Sequence, residues 1–173
     1  ELKGGVLRVL GRYPIANELI TGIAAVGDYL YLANATKGSI EKRRFDAALT
    51  LENSWPSPGP SMRGLAYDDG FFVASGAPGR FYLLAAHDGI SLVNTFFASS
   101  SIVGLSVEGN NVWALDAKSR KILRVSQDQD FKATASYDLK DLKVGPLPSS
   151  FAKKGRMFWI GRDGSNLILE RPR

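Results

Sequence analysis

The chain has 173 residues, 45% of them hydrophobic and 23% charged, which is typical of a single globular domain with its own core. It has no cysteine, which excludes disulfides, thiolate catalysis and thiolate metal sites. The formal net charge of +5 favours weak contact with acidic surfaces but does not indicate nucleic-acid binding, and no apolar run approaches the roughly 20 residues of a membrane span.

The first predicted element is an N-terminal strand in "GGVLRVLGRYPI", residues 4–15. Four similar stretches then begin near residues 20, 62, 102 and 148. Each has a small residue followed by an apolar one, a turn glycine, an aromatic-rich strand, a polar loop and a further strand. The small residues are separated by 42, 40 and 46 positions, and they are Gly22, Gly64, Gly104 and Ser150.

A repeat of about 40 residues with three visible strands is typical of the blades of a β-propeller. A fourth strand follows in the first three repeats, as "ALTLENS", "ISLVNTFFA" and "KATASYDL". Aromatic and β-branched strands interrupted by glycine turns favour sheet over helix. The sequence therefore predicts an all-β, four-bladed β-propeller with four antiparallel strands per blade, in one domain over residues 1–173.

The last repeat ends after its third strand, at Arg173. We expect residues 1–15 to supply its missing outer strand and so to close the ring. Such pairing would also cover two strand edges that are otherwise exposed.

The best-preserved repeat, "NVWALDAKSRKILRV" from Asn111, resembles the blades of NHL and lyase-like propellers. Those families usually have five to seven blades, so a count of four departs from them, and fold resemblance says little about activity. Lyase-like propellers place a catalytic histidine near the central channel. His87, the chain's one histidine, is expected instead in an outer turn, which argues against streptogramin-lyase chemistry.

Two sets of residues are candidates for ligand binding. The last residues of the second strands are expected to occupy corresponding positions in the repeat. In the structural interpretation an aspartate at this position caps the following loop, and in the functional one the four residues form a polar set that faces a ligand. Arg63 is the one charge expected where the inner strands begin, at the channel mouth, and it would bind an anion or remain solvated. The second-strand residues are Asn34, Ser75, Asp116 and Arg162.

A third candidate is the crossover "WPSPGPS", in which Trp55, Pro56 and Pro58 either contact a partner or only stiffen the connection. A basic run, Lys42 to Arg44, is predicted to lie on a strand. Lys42 and Arg44 are expected on one face of that strand and Arg43 on the other. The aromatics are expected in the core, so this run is interpreted as solvated and not as a nucleic-acid site. The neighbouring aspartates of the chain fall in predicted turns, and turn geometry explains them without a metal ion. No metal and no cofactor are therefore predicted.

Together these features predict a monomeric, non-enzymatic binding or interaction module, with no catalytic residues assigned. Its partner would be another protein or domain, or a small anionic ligand. The alternative is a propeller enzyme of the lyase or hydrolase type that uses Asp116 and a metal at the central channel. Because the chain begins at Glu1 and not Met, we also expect that a segment was removed, as from an exported protein or a longer chain.

Overall fold

The structure is a computed structural model that describes residues 2–3, 6–7, 10–15, 17–77, 79–97, 101–139, 147–162 and 168–170. For residues 2–3, 6–7 and 168–170 it describes the backbone alone. Within these ranges the secondary structure is strand and turn, with one short 3-10 segment at Gln127–Gln129. The all-β prediction is therefore confirmed.

Four antiparallel sheets follow one another along the chain, each with its strands paired in chain order. The first three have four strands and the fourth has three among the described residues. The strands are β3 (Ile20–Val26), β4 (Tyr29–Asn34), β5 (Ser39–Arg44) and β6 (Leu51–Pro56) in the first sheet; β7 (Met62–Asp68), β8 (Phe71–Gly76), β9 (Arg80–Ala85) and β10 (Ser91–Phe97) in the second; β11 (Ile102–Glu108), β12 (Asn111–Asp116), β13 (Lys121–Ser126) and β14 (Lys132–Asp138) in the third; and β15 (Pro148–Lys154), β16 (Met157–Arg162) and β17 (Ile168–Glu170) in the fourth.

The inner strands, β3, β7, β11 and β15, each contain a bulge at the same place. In the first sheet the pairing of β3 with β4 shifts by one residue between Ile20 and Gly22. The inner strand of each of the other three sheets shows the same shift against its neighbour. The extra residue of a bulge is not paired in the ladder, so its side chain is free of the sheet's alternation. The bulged residues are Thr21, Arg63, Val103 and Ser149.

Close approach of successive inner strands explains the glycine after the bulge in each of the first three sheets. A Cβ atom on Gly22 would lie 2.8 Å from the backbone nitrogen of Leu65, and one on Gly104 would lie 2.6 Å from Cβ of Phe151. No larger side chain fits at these contacts without moving a backbone. The repeated glycines therefore set the spacing of neighbouring sheets.

The core lies between the sheets, in three clusters that join the first to the second, the second to the third and the third to the fourth. At each of the first two joints the apolar residue that follows the small residue is buried, with Leu65 3% and Leu105 6% exposed. The matching residue of the first sheet, Ile23, is 59% exposed. Among the described strands, β3 and β15 do not pack together as the successive inner strands do.

The N-terminal segment differs from the expectation. Strand β1 (Leu2–Lys3) pairs with β2 (Val6–Leu7) in a two-stranded hairpin, and 10–15 contains no strand. The predicted pairing of residues 1–15 with the last sheet is therefore not seen in the described part of the chain. The sequence Gly4-Gly5 favours a two-residue hairpin, which costs far less loop entropy than pairing across the whole chain.

Candidate functional site

The ends of the second strands correspond in three sheets, but the assignment of Ser75 was wrong by one residue. Asn34, Asp116 and Arg162 each pair with the residue before the bulge, whereas in the second sheet that partner is Gly76. The reason is steric, because a Cβ on Gly76 would lie 2.8 Å from Cε2 of the buried Tyr82. A polar side chain cannot occupy this position in the second sheet.

Asp116 and Ser75 are both buried inside the fold. Oδ1 of Asp116 accepts hydrogen bonds from the backbone N–H groups of Lys118 at 3.0 Å and Ser119 at 3.3 Å, so the carboxylate caps the following loop. Ser75 is fully buried, and its Oγ lies against the inner strand at Gly64. Arg162 is half-buried. These contacts favour the structural interpretation of the set.

Asn34 belongs to a polar cluster that sequence reasoning missed. Its amide nitrogen donates to Oε2 of Glu18 at 2.8 Å and to Oε1 of Glu41 at 3.0 Å. Glu41 is fully buried and also accepts hydrogen bonds from Lys37 Nζ at 3.0 Å and Arg43 Nε at 2.8 Å. Asn34 is 1% exposed, so its side chain holds this cluster together and does not face a ligand.

The pKa of Glu41 reflects two opposing effects. Burial raises the pKa of this carboxyl, but hydrogen bonds from Arg43 and then Lys37 outweigh burial and hold the pKa below its ordinary value. The carboxylate therefore stays charged inside the fold, with its cations close by.

The position of Glu41 and Arg43 in the repeat shows what is unusual about them. By strand register, Glu41 corresponds to Tyr82 in the second sheet and Arg43 to Leu84. Those apolar residues pack in the cluster that joins the second sheet to the preceding one. The first sheet thus has a charged network at positions where the second sheet has apolar residues packed against its neighbour. The sequence feature that could have revealed this network is the charged pair Glu41 and Arg43 at two positions of the repeat that are otherwise apolar.

A groove of about 300 Å³ separates the first sheet from the second. One wall is the half-buried Trp55 on β6, whose ring lies nearly parallel to that of Tyr31, with centroids 6.4 Å apart. The other wall is the turn between β9 and β10, with His87, Asp88 and Gly89. Trp55 approaches this turn closely, because a Cβ on Gly89 would lie 3.0 Å from Trp55 Nε1.

His87 is exposed and lies in the outer turn where the sequence predicted it. Its ring stands edge-on to Phe71, with centroids 6.0 Å apart. No sequence pattern indicates that this turn faces Trp55, because 32 positions separate His87 from Trp55 and the two residues belong to different sheets. The structure brings the lone histidine and the crossover tryptophan to one groove.

Charges line the floor of the groove. Lys42 Nζ lies 3.7 Å from Oε2 of Glu52 and 3.9 Å from the ring centre of Tyr29. Arg44 also pairs with Glu52, at 2.7 Å, whereas Arg43 pairs with Glu41 on the other side of the sheet. The predicted split of the basic run between two faces is therefore seen.

The proline crossover is held in place by its own contacts. Pro56 ends β6 opposite Ser39, and the next N–H, of Ser57, donates to the carbonyl of Gly38 at 2.8 Å. Gly59 lies directly over the Tyr82 hydroxyl, which leaves no room for a side chain. Trp55 lines the groove, whereas Pro56 and Pro58 lie in the connection beyond it.

Arg63, the candidate for anion binding, is an exposed bulge residue on β7.

Within the ranges given above, no group of three or more His, Asp or Glu side chains is placed to hold a metal ion. Nor does any helix in those ranges have the length and apolar character needed to cross a membrane.

The sequence matches no protein-family model and no curated protein. Three solved structures resemble the fold. The glutaminyl cyclase of Myxococcus xanthus gives a TM-score of 0.71 at 16% identity, over 92% of this chain and 76% of that one. The WD40 β-propeller domain of Doa1 gives 0.63 at 16% identity, over 88% of this chain and about half, 51%, of that one.

The third structure is the computationally designed Ika4 protein, with a TM-score of 0.60 at 14% identity, over 96% of this chain and 99% of that one. At such identities the likeness shows the fold alone. With its successive antiparallel sheets, the chain has a β-propeller fold. The narrower resemblance to NHL-type blades stays a prediction.

Proposed function

We propose that the protein is a non-enzymatic binding module whose ligand lies in the groove between the first and second sheets. The observation that carries the proposal is the half-buried Trp55 facing the turn of His87 and Asp88 across about 300 Å³. Grooves lined by aromatic side chains and a few polar groups are common ligand sites. Tryptophan is also among the residues that dominate binding energy at interfaces.

Rigidity supports the same proposal. The groove is built from two sheets joined by a packed cluster, and Gly59 fixes the crossover against Tyr82. A preformed site loses little conformational entropy when a ligand binds. The ligand would therefore meet side chains that are already in place.

The test is a nuclear magnetic resonance screen of peptides and small metabolites against labelled protein. Because the chain has one histidine and three tryptophans, the His87 imidazole and the three indole N–H signals are simple to assign. We expect ligands that shift the Trp55 and His87 signals together and that lose binding in Trp55→Ala but not in Arg63→Ala. The groove is contradicted if no ligand of the screen shifts both signals, or if the ligands that shift both bind Trp55→Ala unchanged.

A second candidate is an anion at Arg63. The guanidinium is exposed on a bulge, where its direction is not fixed by the sheet ladder. The same screen tests this candidate, because anionic hits would lose binding in Arg63→Ala and keep it in Trp55→Ala. If no anionic compound shows that pattern, Arg63 is a solvated residue.

We further propose that the four large sheets are four blades around one axis. The order in which the inner strands pack and the repeated glycine contacts between neighbouring sheets support this count. Closure of the ring between the last sheet and the first stays a prediction, which substitution of Ile23 tests below.

A further inference from the structure

The residues that line the groove between the first and second sheets carry one more carboxylate than ammonium. Its lining contains the carboxylates of Glu52 and Asp88 and one ammonium, that of Lys42. The chain as a whole carries +5. This local excess of negative charge is the first sign of which ligand the groove would accept.

The two carboxylates are not equivalent. Glu52 is held by both Lys42 and Arg44, at 3.7 and 2.7 Å. Asp88 is exposed at the rim, and the described residues form no ion pair with it. A cation that enters the groove would therefore meet Asp88 without displacing a cation of the chain.

The aromatic residues of the same sheet differ in a similar way. Tyr29 already has a cation of the chain over its face, with Lys42 Nζ 3.9 Å from the ring centre. Tyr31 and Trp55, farther along the groove, have no such cation among the described contacts. Aromatic faces attract cations, and tryptophan attracts them most strongly.

From this arrangement we infer that the groove binds an arginine side chain of a partner polypeptide, with the guanidinium stacked on Trp55 and paired with Asp88. This inference rests on the proposed function and names its ligand. A planar guanidinium stacks on an aromatic ring and offers two parallel N–H groups to a carboxylate, which an ammonium does not. Trp55 lines the groove and its ring is nearly parallel to that of Tyr31, so the indole is held in place for such a group.

The test uses three acetylated and amidated tripeptides, Gly-X-Gly, in which X is arginine, citrulline or glutamate. Citrulline has nearly the shape of arginine but no charge. Binding is followed through the signals of His87 and of the Trp55 indole at low ionic strength. We expect saturable shifts with the arginine peptide and affinity at least about tenfold weaker with citrulline, because the charge contact is lost.

Two variants locate the contact. Asp88→Asn should weaken the arginine peptide about tenfold while leaving the citrulline peptide unchanged. Asp128→Asn removes the same charge near the corresponding turn of the third sheet, so it should bind like the wild type. Equal shifts in Asp88→Asn and the wild type would overturn the pairing.

The outcomes separate this inference from the proposed function. Equal binding of arginine and citrulline, or preferred binding of glutamate, would overturn the cationic ligand while leaving the groove as a binding site. If none of the three peptides shifts either signal, the arginine inference fails. The proposed function is then decided by the wider ligand screen and its Trp55→Ala variant.

Discussion

Arg43 Nε donates a 2.8 Å hydrogen bond to Oε2 of Glu41, two residues earlier on the same strand. Residues two apart on a strand point to the same side of the sheet, and this side faces away from the second sheet. The corresponding pair in the second sheet, Tyr82 and Leu84, packs against the preceding sheet. The face of the first sheet that points away from the second therefore has an ion pair where the second sheet has apolar packing.

Substitution of the buried carboxylate should destabilise the fold. We expect Glu41→Gln to lower the free energy of unfolding by about 3 kcal/mol, because the cations around it lose their buried partner. Urea denaturation measures the change. The matched control is Glu52→Gln, which removes a more exposed partner of two cations and should cost no more than about 1 kcal/mol. Equal losses in the two variants would contradict the buried network.

Low pH should remove the contribution of the Glu41 carboxylate to the free energy of unfolding. The pKa of Glu41 in the folded protein lies below its ordinary value of 4.5, since hydrogen bonds from Arg43 and Lys37 outweigh the effect of burial. Its stabilisation is therefore present above about pH 4.5 and lost as the pH falls through the folded-state value. We expect the difference in unfolding free energy between wild type and Glu41→Gln to be constant from about pH 7 to 5 and to shrink below that.

The comparison of two proteins is needed because other carboxyls titrate in the same range. A hydrogen bond from the Thr50 backbone lowers the pKa of Asp46, and one from Lys153 lowers the pKa of Glu108. These groups contribute equally to both proteins and cancel in the difference. A difference that does not change from pH 7 to 3 would show that Glu41 does not titrate as described.

The spacing of the sheets can be tested at Gly104. We expect Gly104→Ala to cost about 2 kcal/mol, because the added methyl group would lie 2.6 Å from Cβ of Phe151. Thermal and chemical unfolding measure the loss. Gly109→Asn is the control, since nothing lies within 4 Å of a Cβ there and asparagine tolerates its φ of 56°. A stable Gly104→Ala variant would mean that the inner strands are not in close contact.

Closure of the ring can be tested at Ile23. This side chain is 59% exposed in the structure, so Ile23→Ala should change stability by less than about 1 kcal/mol if the first and fourth sheets do not pack together. Leu65→Ala, at the corresponding buried position, should cost about 2–5 kcal/mol. Similar losses in the two variants would show that the first and fourth sheets pack together in solution, as the sequence predicted.

The strands and their order could be predicted because the repeat carries its signals locally, in turn glycines such as Gly109 and in alternating apolar residues. The error at Ser75 arose because the bulky ring of Tyr82 removes the polar residue from its usual place, and this depends on packing. The local hairpin of β1 with β2 competes with pairing of the same residues to the last sheet. Local sequence patterns do not show which of the two pairings has the lower free energy. The groove is formed by a strand of one sheet and a turn of the next, so Trp55 was predicted as a contact without its partner His87.

The bulges on the inner strands have a consequence for how this protein can change. Thr21, Arg63, Val103 and Ser149 differ widely in size and charge, yet each stands at the same point of an otherwise regular ladder. Thr21 donates to the carbonyl of Met62 and Val103 packs against the core between the third and fourth sheets, whereas Arg63 and Ser149 are exposed. The two exposed sites therefore suit a combinatorial library, in which new recognition properties can be selected on an unchanged framework.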